Sequence, residues 1–141
     1  MCEAFSDPNA TPEAKAKALR VATSNHFRIT RDALIGKGVD RHLFALKHFA
    51  ARAGALPDIF TDPTYDKMGH IRLSTSTLAS PALDGGGFGP VNKDCFAVGY
   101  GTADRGMQFS IMSYGLGNSD FADAVEGALQ EFREVMHLDE K

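Results

Sequence analysis

The sequence predicts an α/β protein of the layered α+β kind, with its elements in the order α-α-β-β-β-α. Three observations carry this expectation. Residues 14–34 contain no proline or glycine and place apolar side chains at helical spacing. Three short segments rich in β-branched, aromatic and hydroxyl residues follow between residues 71 and 114. An amphipathic stretch, 119–136, closes the chain. Helices flanking a strand-rich middle bury their apolar faces by stacking as layers.

The first helix has a start signal. Thr11 offers a hydroxyl to the orphan amides and Pro12 suits the first helical position. Glu13 adds a negative charge at the positive end of the macrodipole. Ala18, Val21, Ala22, Ile29 and Ala33 lie near helical spacing, and Gly36 and Gly38 supply the stop. A second helix starts at Asp40, read as its cap, with Leu43, Leu46, Phe49 and Ala50 as its apolar stripe. Gly54 and Pro57 end it.

The strand candidates are Ile71–Thr77, Cys95–Tyr100 and Met107–Tyr114. In the last, Met107, Phe109 and Ile111 alternate with Gln108 and Ser110. The segment Gly101–Gly106 between the last two suits a hairpin with a longer loop. The closing helix carries Phe121, Val125, Leu129, Phe132 and Met136 on one face, read as core. Three strands make a small sheet, which raises the expectation of further strands outside this segment.

A chain of 141 residues builds one domain. Fifteen Lys and Arg against eighteen Asp and Glu leave a net charge of −3, which removes the basic footprint of a nucleic-acid binder. No apolar run reaches the roughly 18 residues of a membrane span, and the first residues, Met1 to Pro8, do not read as a signal peptide. Cys2 and Cys95 lack the spacing of a disulfide framework or a zinc site.

Three features could carry chemistry. In Ser74-Thr75-Ser76-Thr77 a strand would point Ser74 and Ser76 to one face. Two hydroxyls there either orient a substrate oxygen and stabilise an oxyanion, or form an exposed polar strand. The run Gly85-Gly86-Gly87-Phe88-Gly89-Pro90 lacks the Gly-Lys-Ser/Thr ending of a phosphate loop. It reads locally as a flexible loop, or as backbone approached closely by a ligand with Phe88 offering its ring. Arg41, beside Asp40 at a helix start, either pairs with a neighbouring carboxylate or holds an anionic ligand in its planar fork.

The histidines add no base. His26, His42, His48, His70 and His137 form no His-x-x-x-His pair, and none sits in a Gly-x-Ser-x-Gly nucleophile signature.

Taken together, Asp40-Arg41-His42-Leu43-Phe44-Ala45-Leu46, Leu73-Ser74-Thr75-Ser76-Thr77 and Gly87-Phe88-Gly89-Pro90-Val91 resemble the C-terminal part of the carnitine/choline acyltransferase family. The likeness runs from about Phe5 to Leu138, and the ordered set of three motifs is specific where each alone is weak. It implies that residues 1–141 are a C-terminal segment of the catalytic domain, part of a chloramphenicol-acetyltransferase-like two-domain fold. It also assigns roles. Arg41 matches the arginine that binds the carnitine carboxylate, which choline-using members lack. Ser74 and Ser76 match hydroxyls that bind carnitine and stabilise the oxyanion, and Phe88 matches an aromatic residue against the trimethylammonium group. Gly86 matches the glycine of medium- and long-chain members, where acetyl-transferring members carry a bulky Met that blocks the acyl tunnel.

The resemblance further implies carnitine and acyl-CoA as substrates, coenzyme A as co-substrate, no metal and no bound cofactor. The family's catalytic histidine and its CoA-holding lysines fall upstream of this segment, so the expected partner is the upstream domain of the same protein. A mitochondrial location and peripheral membrane association of the full-length parent are implied in the same way. One departure stands out: Asp94-Cys95-Phe96-Ala97 replaces the Asp-Gly-Tyr-Gly of many members. It reads as a local strand variation.

Overall fold

A computed structural model describes residues 1–77, 80, 82–103 and 106–138. Its order is α1 (Cys2–Ser6), α2 (Pro12–Leu34), α3 (Asp40–Arg52), a 3-10 turn (Asp58–Phe60), α4 (Pro63–Gly69), β1 (Leu73–Thr77), β2 (Phe96–Ala103), β3 (Gly106–Met112) and α5 (Asn118–Leu138). The mixed α/β class is as the sequence predicts. Two short helices, α1 and α4, are additions to the expected order. The chain forms two compact units, Met1–Asp58 with Glu126–Lys141, and Ile59–Val125.

In the first unit the helix ends follow local chemistry. Thr11 Oγ1 accepts from the Ala14 amide at 3.3 Å, with Pro12 behind it, and this starts α2. Gly36 takes φ +80°, and the Lys37 and Gly36 amides donate to the Asp32 and Ala33 carbonyls at 2.9 and 3.1 Å. Gly54, at φ +68°, ends α3 by the same pairing, with the Ala55 and Gly54 amides on the Ala50 and Ala51 carbonyls. Both are Schellman stops, which require a residue that tolerates the left-handed region. Asp40 departs from expectation: it is the first residue of α3, Val39 precedes it as the cap, and no side chain closes that end. Its carboxylate therefore acts on the helix dipole alone.

The core of this unit lies where α1, the start of α2 and the second half of α5 meet. Phe5 meets Phe132 edge-on at 4.9 Å, Lys15 Nζ reaches Glu131 Oε1 at 2.7 Å, and Ala16 and Val135 are buried. The expected apolar faces of α2 and α3 are largely uncovered. Ala18 and Ala22 are half-buried, but Val21, Ile29, Leu46 and Phe49 are exposed. Helical spacing places residues on one face; burial needs something opposite that face.

The second unit is built on a three-stranded sheet in the order β1-β2-β3. β1 runs parallel to β2, with Leu73 opposite Phe96 and Thr77 opposite Tyr100. β3 runs antiparallel to β2, from Ala97 opposite Met112 to Ala103 opposite Gly106. The strands run on to Ala103 and restart at Gly106, so most of the segment expected as a loop is strand, and residues 104 and 105 lie outside the described residues. Directly paired residues share a face. One face carries Phe96, Val98, Tyr100, Phe109 and Ile111; the other carries Ser74, Ser76, Ala97, Gly99, Gly101, Gln108, Ser110 and Met112. The first half of α5 covers the apolar face, where the Phe96 and Phe121 rings stack at 4.4 Å. Cys95, Val98 and, on the other face, Ala97 are buried.

The Phe96–Phe121 stack fixes the helix to the sheet. Phe121→Ala is expected to lower unfolding stability by about 2–3 kcal/mol, because a large ring leaves a half-buried site that cannot fully collapse. Urea unfolding followed by circular dichroism measures this, and an unshifted midpoint would contradict it.

Candidate functional site

The sheet face away from α5 has an unusual composition. Its rungs read Ser74–Ala97–Met112, Ser76–Gly99–Ser110 and, on the β2–β3 side, Gly101–Gln108. With strands about 4.8 Å apart, the β1 hydroxyls and the β3 side chains stand on either side of a floor about 10 Å across. Alanine and glycine form that floor; Ala97 and Gly99 are buried and Gly101 is half-buried. Ser74 is half-buried and Ser76 exposed.

The glycine run crosses the β3 side of this face. A methyl group placed on Gly85 would lie 2.9 Å from Gln108 Nε2. One on Gly87 would lie 2.6 Å from both Ser110 Oγ and Met112 Cε. The run is therefore neither a free loop nor, at these two positions, backbone reserved for a ligand. It lies flush on side chains of its own sheet, and glycine is the residue that permits so close an approach. Phe88 follows half-buried, and beyond it Gly89 has open space around it.

A cavity of about 770 Å³ opens between this run and the β2–β3 hairpin. Gly85, Gly86, Gly99, Gly101, Gln108 and Ser110 contribute to its walls. Its size falls within the range of small-molecule sites, about 300–1,000 Å³. Gly86, singled out from sequence, lines it; Gly99, Gly101, Gln108 and Ser110 were not singled out. The signal for them was present, since residues 99 and 101 are both small and two apart on a strand.

A latch tethers the chain on either side of the β1–β2 pair. His70 Nε2 lies 2.9 Å from both carboxylate oxygens of Asp94, and Arg72 Nε lies 3.9 Å from Oδ2. Asn92 Nδ2 donates to the Ile71 carbonyl at 2.8 Å, and the Phe96 amide to the Arg72 carbonyl at 3.0 Å. The His70 hydrogen bond holds the Asp94 carboxyl below its ordinary value, against an opposing effect of desolvation. Asp94 therefore favours the folded state above the ordinary aspartate range, and that contribution is lost as pH falls through its lowered pKa. Sequence alone gave no sign of this pair, 24 residues apart.

Arg41 belongs to the first unit, in the first turn of α3. It is exposed and, among the described residues, makes no ion pair, so the neighbouring-carboxylate reading is not the one adopted. Ser74, Ser76, Gly86 and Phe88 all belong to the second unit.

A family model described as choline/carnitine O-acyltransferase matches residues 1–134. The chain is 41% identical to the human mitochondrial carnitine O-palmitoyltransferase 2 over 138 residues, covering 95% of this chain and 21% of that protein. It is 33% identical to a putative mitochondrial carnitine O-acetyltransferase of Saccharomyces cerevisiae, over 92% of this chain and 19% of the relative. To the human carnitine O-acetyltransferase it is 34% identical, over 79% and 18%. The chain thus spans about a fifth of the length of these curated relatives.

Two outcomes follow from the geometry. Gly87→Val should cost about 1–3 kcal/mol through overpacking against Ser110 and Met112, whereas Gly89→Ala should stay within about 0.5 kcal/mol; equal midpoints in thermal unfolding would refute the close approach. His70→Ala should return the Asp94 carboxyl toward the ordinary aspartate pKa. A carbon-detected NMR titration reads this directly, and an unmoved Asp94 would remove His70 as the cause.

Proposed function

The chain belongs to the choline/carnitine O-acyltransferase family, and from that premise we propose that it forms part of an enzyme exchanging medium- and long-chain acyl groups between coenzyme A and carnitine. In this reading residues 1–141 are a C-terminal segment of the catalytic domain and hold the carnitine side of the reaction. One observation carries it furthest: Ser74 and Ser76 share a sheet face whose floor is alanine and glycine and whose far side is overlain by the Gly85–Gly87 run. Hydroxyls beside a floor of small residues suit a substrate lying across the strands.

The chemistry assigns each group a task. The Arg41 guanidinium pairs with the carnitine carboxylate, a charge-assisted contact with matched planar geometry. The Phe88 ring attracts the trimethylammonium group through its π-face. Ser74 orients carnitine. When the carnitine hydroxyl attacks the thioester carbonyl, its proton passes to a base and negative charge develops on the carbonyl oxygen. Ser76 donates to that oxygen, the intermediate collapses, and the CoA sulfur leaves and takes the proton. The base is a histidine supplied by another part of the enzyme. Identity is higher to the palmitoyltransferase than to the two acetyltransferases, and Gly86, read as the acyl-tunnel glycine, lines the cavity. The relatives' names support a mitochondrial setting for the full-length parent, and peripheral membrane association is part of the same reading.

A second reading is supported by the exposed apolar side chains of the first unit, including Phe27, Leu34, Phe44 and Phe49. The isolated 141-residue chain is then an inactive carnitine-site fragment that needs a further segment to cover these groups.

In a full-length acyltransferase containing this segment, Ser76→Ala should lower kcat by roughly 10²–10³ with little change in melting temperature. Arg41→Ala should chiefly raise the KM for carnitine. Wild-type values for both variants would reject the assigned roles, and carnitine-dependent release of CoA by the isolated chain would reject the second reading.

A further inference from the structure

We infer that Gly101, in the middle of the β2–β3 hairpin, is a second position that sets the length of acyl chain accepted, together with Gly86. The inference rests on the acyl-transfer reading above and extends it to a residue that the family motifs do not mark.

Glycine weakens a strand, because it adds backbone entropy in the unfolded chain and packs nothing. A glycine inside a strand therefore needs a cause, and three are available. The first is a backbone angle that other residues avoid. Gly101 lacks it, since the positive-φ glycines among the described residues are Gly36, Gly54, Gly115 and Gly117. The second is close approach by another part of the protein, which explains Gly85 and Gly87. Gly101 lacks this too, because a methyl group built there would find nothing within 4 Å. The third is space kept open for something that binds.

The register says where that space is. Gly101 lies opposite Gln108, so a side chain at 101 would project to the same face as the Gln108 side chain. Gln108 is the group that abuts Gly85, and both Gly86 and Gly101 line the 770 Å³ cavity. A side chain at 101 would thus enter the cavity from the sheet side, and Gly86 lines it from the loop side. Neither backbone conformation nor packing forbids that side chain; it would only take volume. Gly101 keeps a length of the cavity empty, and an acyl chain is the part of the proposed substrate that needs such a slot.

The test uses a full-length acyltransferase containing this segment, with Gly101→Leu, Gly101→Ala and Gly86→Met. Catalytic efficiency is measured with palmitoyl-, octanoyl- and acetyl-CoA, and melting temperature by circular dichroism. Gly101→Leu should lower the palmitoyl-to-acetyl ratio of kcat/KM at least roughly tenfold, the scale on which a pocket discriminates by a methylene or more. Gly101→Ala should shift the ratio in the same direction by less. If Gly86→Met lowers the ratio and Gly101→Leu does not, the inference about Gly101 falls while the assignment of Gly86 stands. If neither variant changes the ratio, both fall. An equal loss on all three acyl-CoAs in Gly101→Ala would mark a structural role and overturn the inference.

Discussion

Pairing of β2 with both of its neighbours, in one register, is the constraint on which the second unit depends. Side chains alternate along a strand, so a slip of one residue would exchange the two faces completely. In the register observed, Phe96 stacks on Phe121 and Val98 is buried, while Ser74, Ser76 and Ser110 share the opposite face with Ala97, Gly99 and Gly101. A slipped strand would turn glycine toward α5 and Phe96 toward the glycine run. The apolar contact thus does more than stabilise the sheet. It selects the register that sets two hydroxyls beside a floor of small residues.

What was legible from residues alone is what acts over a few positions. Thr11 with Pro12, Gly36 and Gly54 announced helix ends correctly, because a cap or a left-handed stop is a matter of the adjacent turn. Asp62-Pro63 carried the same kind of signal for α4, and Asp62 does accept from the Thr64 amide at 2.7 Å. Such a signal is faint in a helix this short with no apolar stripe. Asp40 failed as a cap although its residue type suits the role: the chain enters the helix one residue earlier, at Val39. The placing of Ser74 and Ser76 on one face was also legible, as alternation fixes it once a strand forms. Strand order, the His70–Asp94 latch and the seating of Gly85–Gly87 on β3 join residues distant in sequence, and nothing local encodes them.

The helices of the first unit show the same division. Periodicity identified the apolar residues of α2 and α3, yet Val21 and Phe49 remain more than 60% exposed. The sequence pattern records which side chains belong together on a surface. It contains no information about what faces that surface, which other segments or partners decide. By contrast Phe132, on the expected face of α5, is half-buried and meets Phe5 within the unit, and there the pattern and the burial agree.

Glycine gives the sharpest case, because one residue type serves three physical purposes in this chain. At 36 and 54 the backbone takes a left-handed angle, and the need is conformational. At 85 and 87 side chains of β3 occupy the space a methyl group would take, and the need is steric. At 101 neither applies: the angle is ordinary and the space is empty. Composition treats these positions alike, and even the motif Gly-Gly-Gly-Phe-Gly-Pro does not separate the glycine that packs from the one that lines a cavity. The separation comes from building the missing atom and asking what it would meet. Where it meets protein, the glycine belongs to the fold. Where it meets open volume on a face already carrying the candidate hydroxyls, the vacancy is a property of the site, and the entropy lost by placing glycine in a strand is set against space held for a substrate.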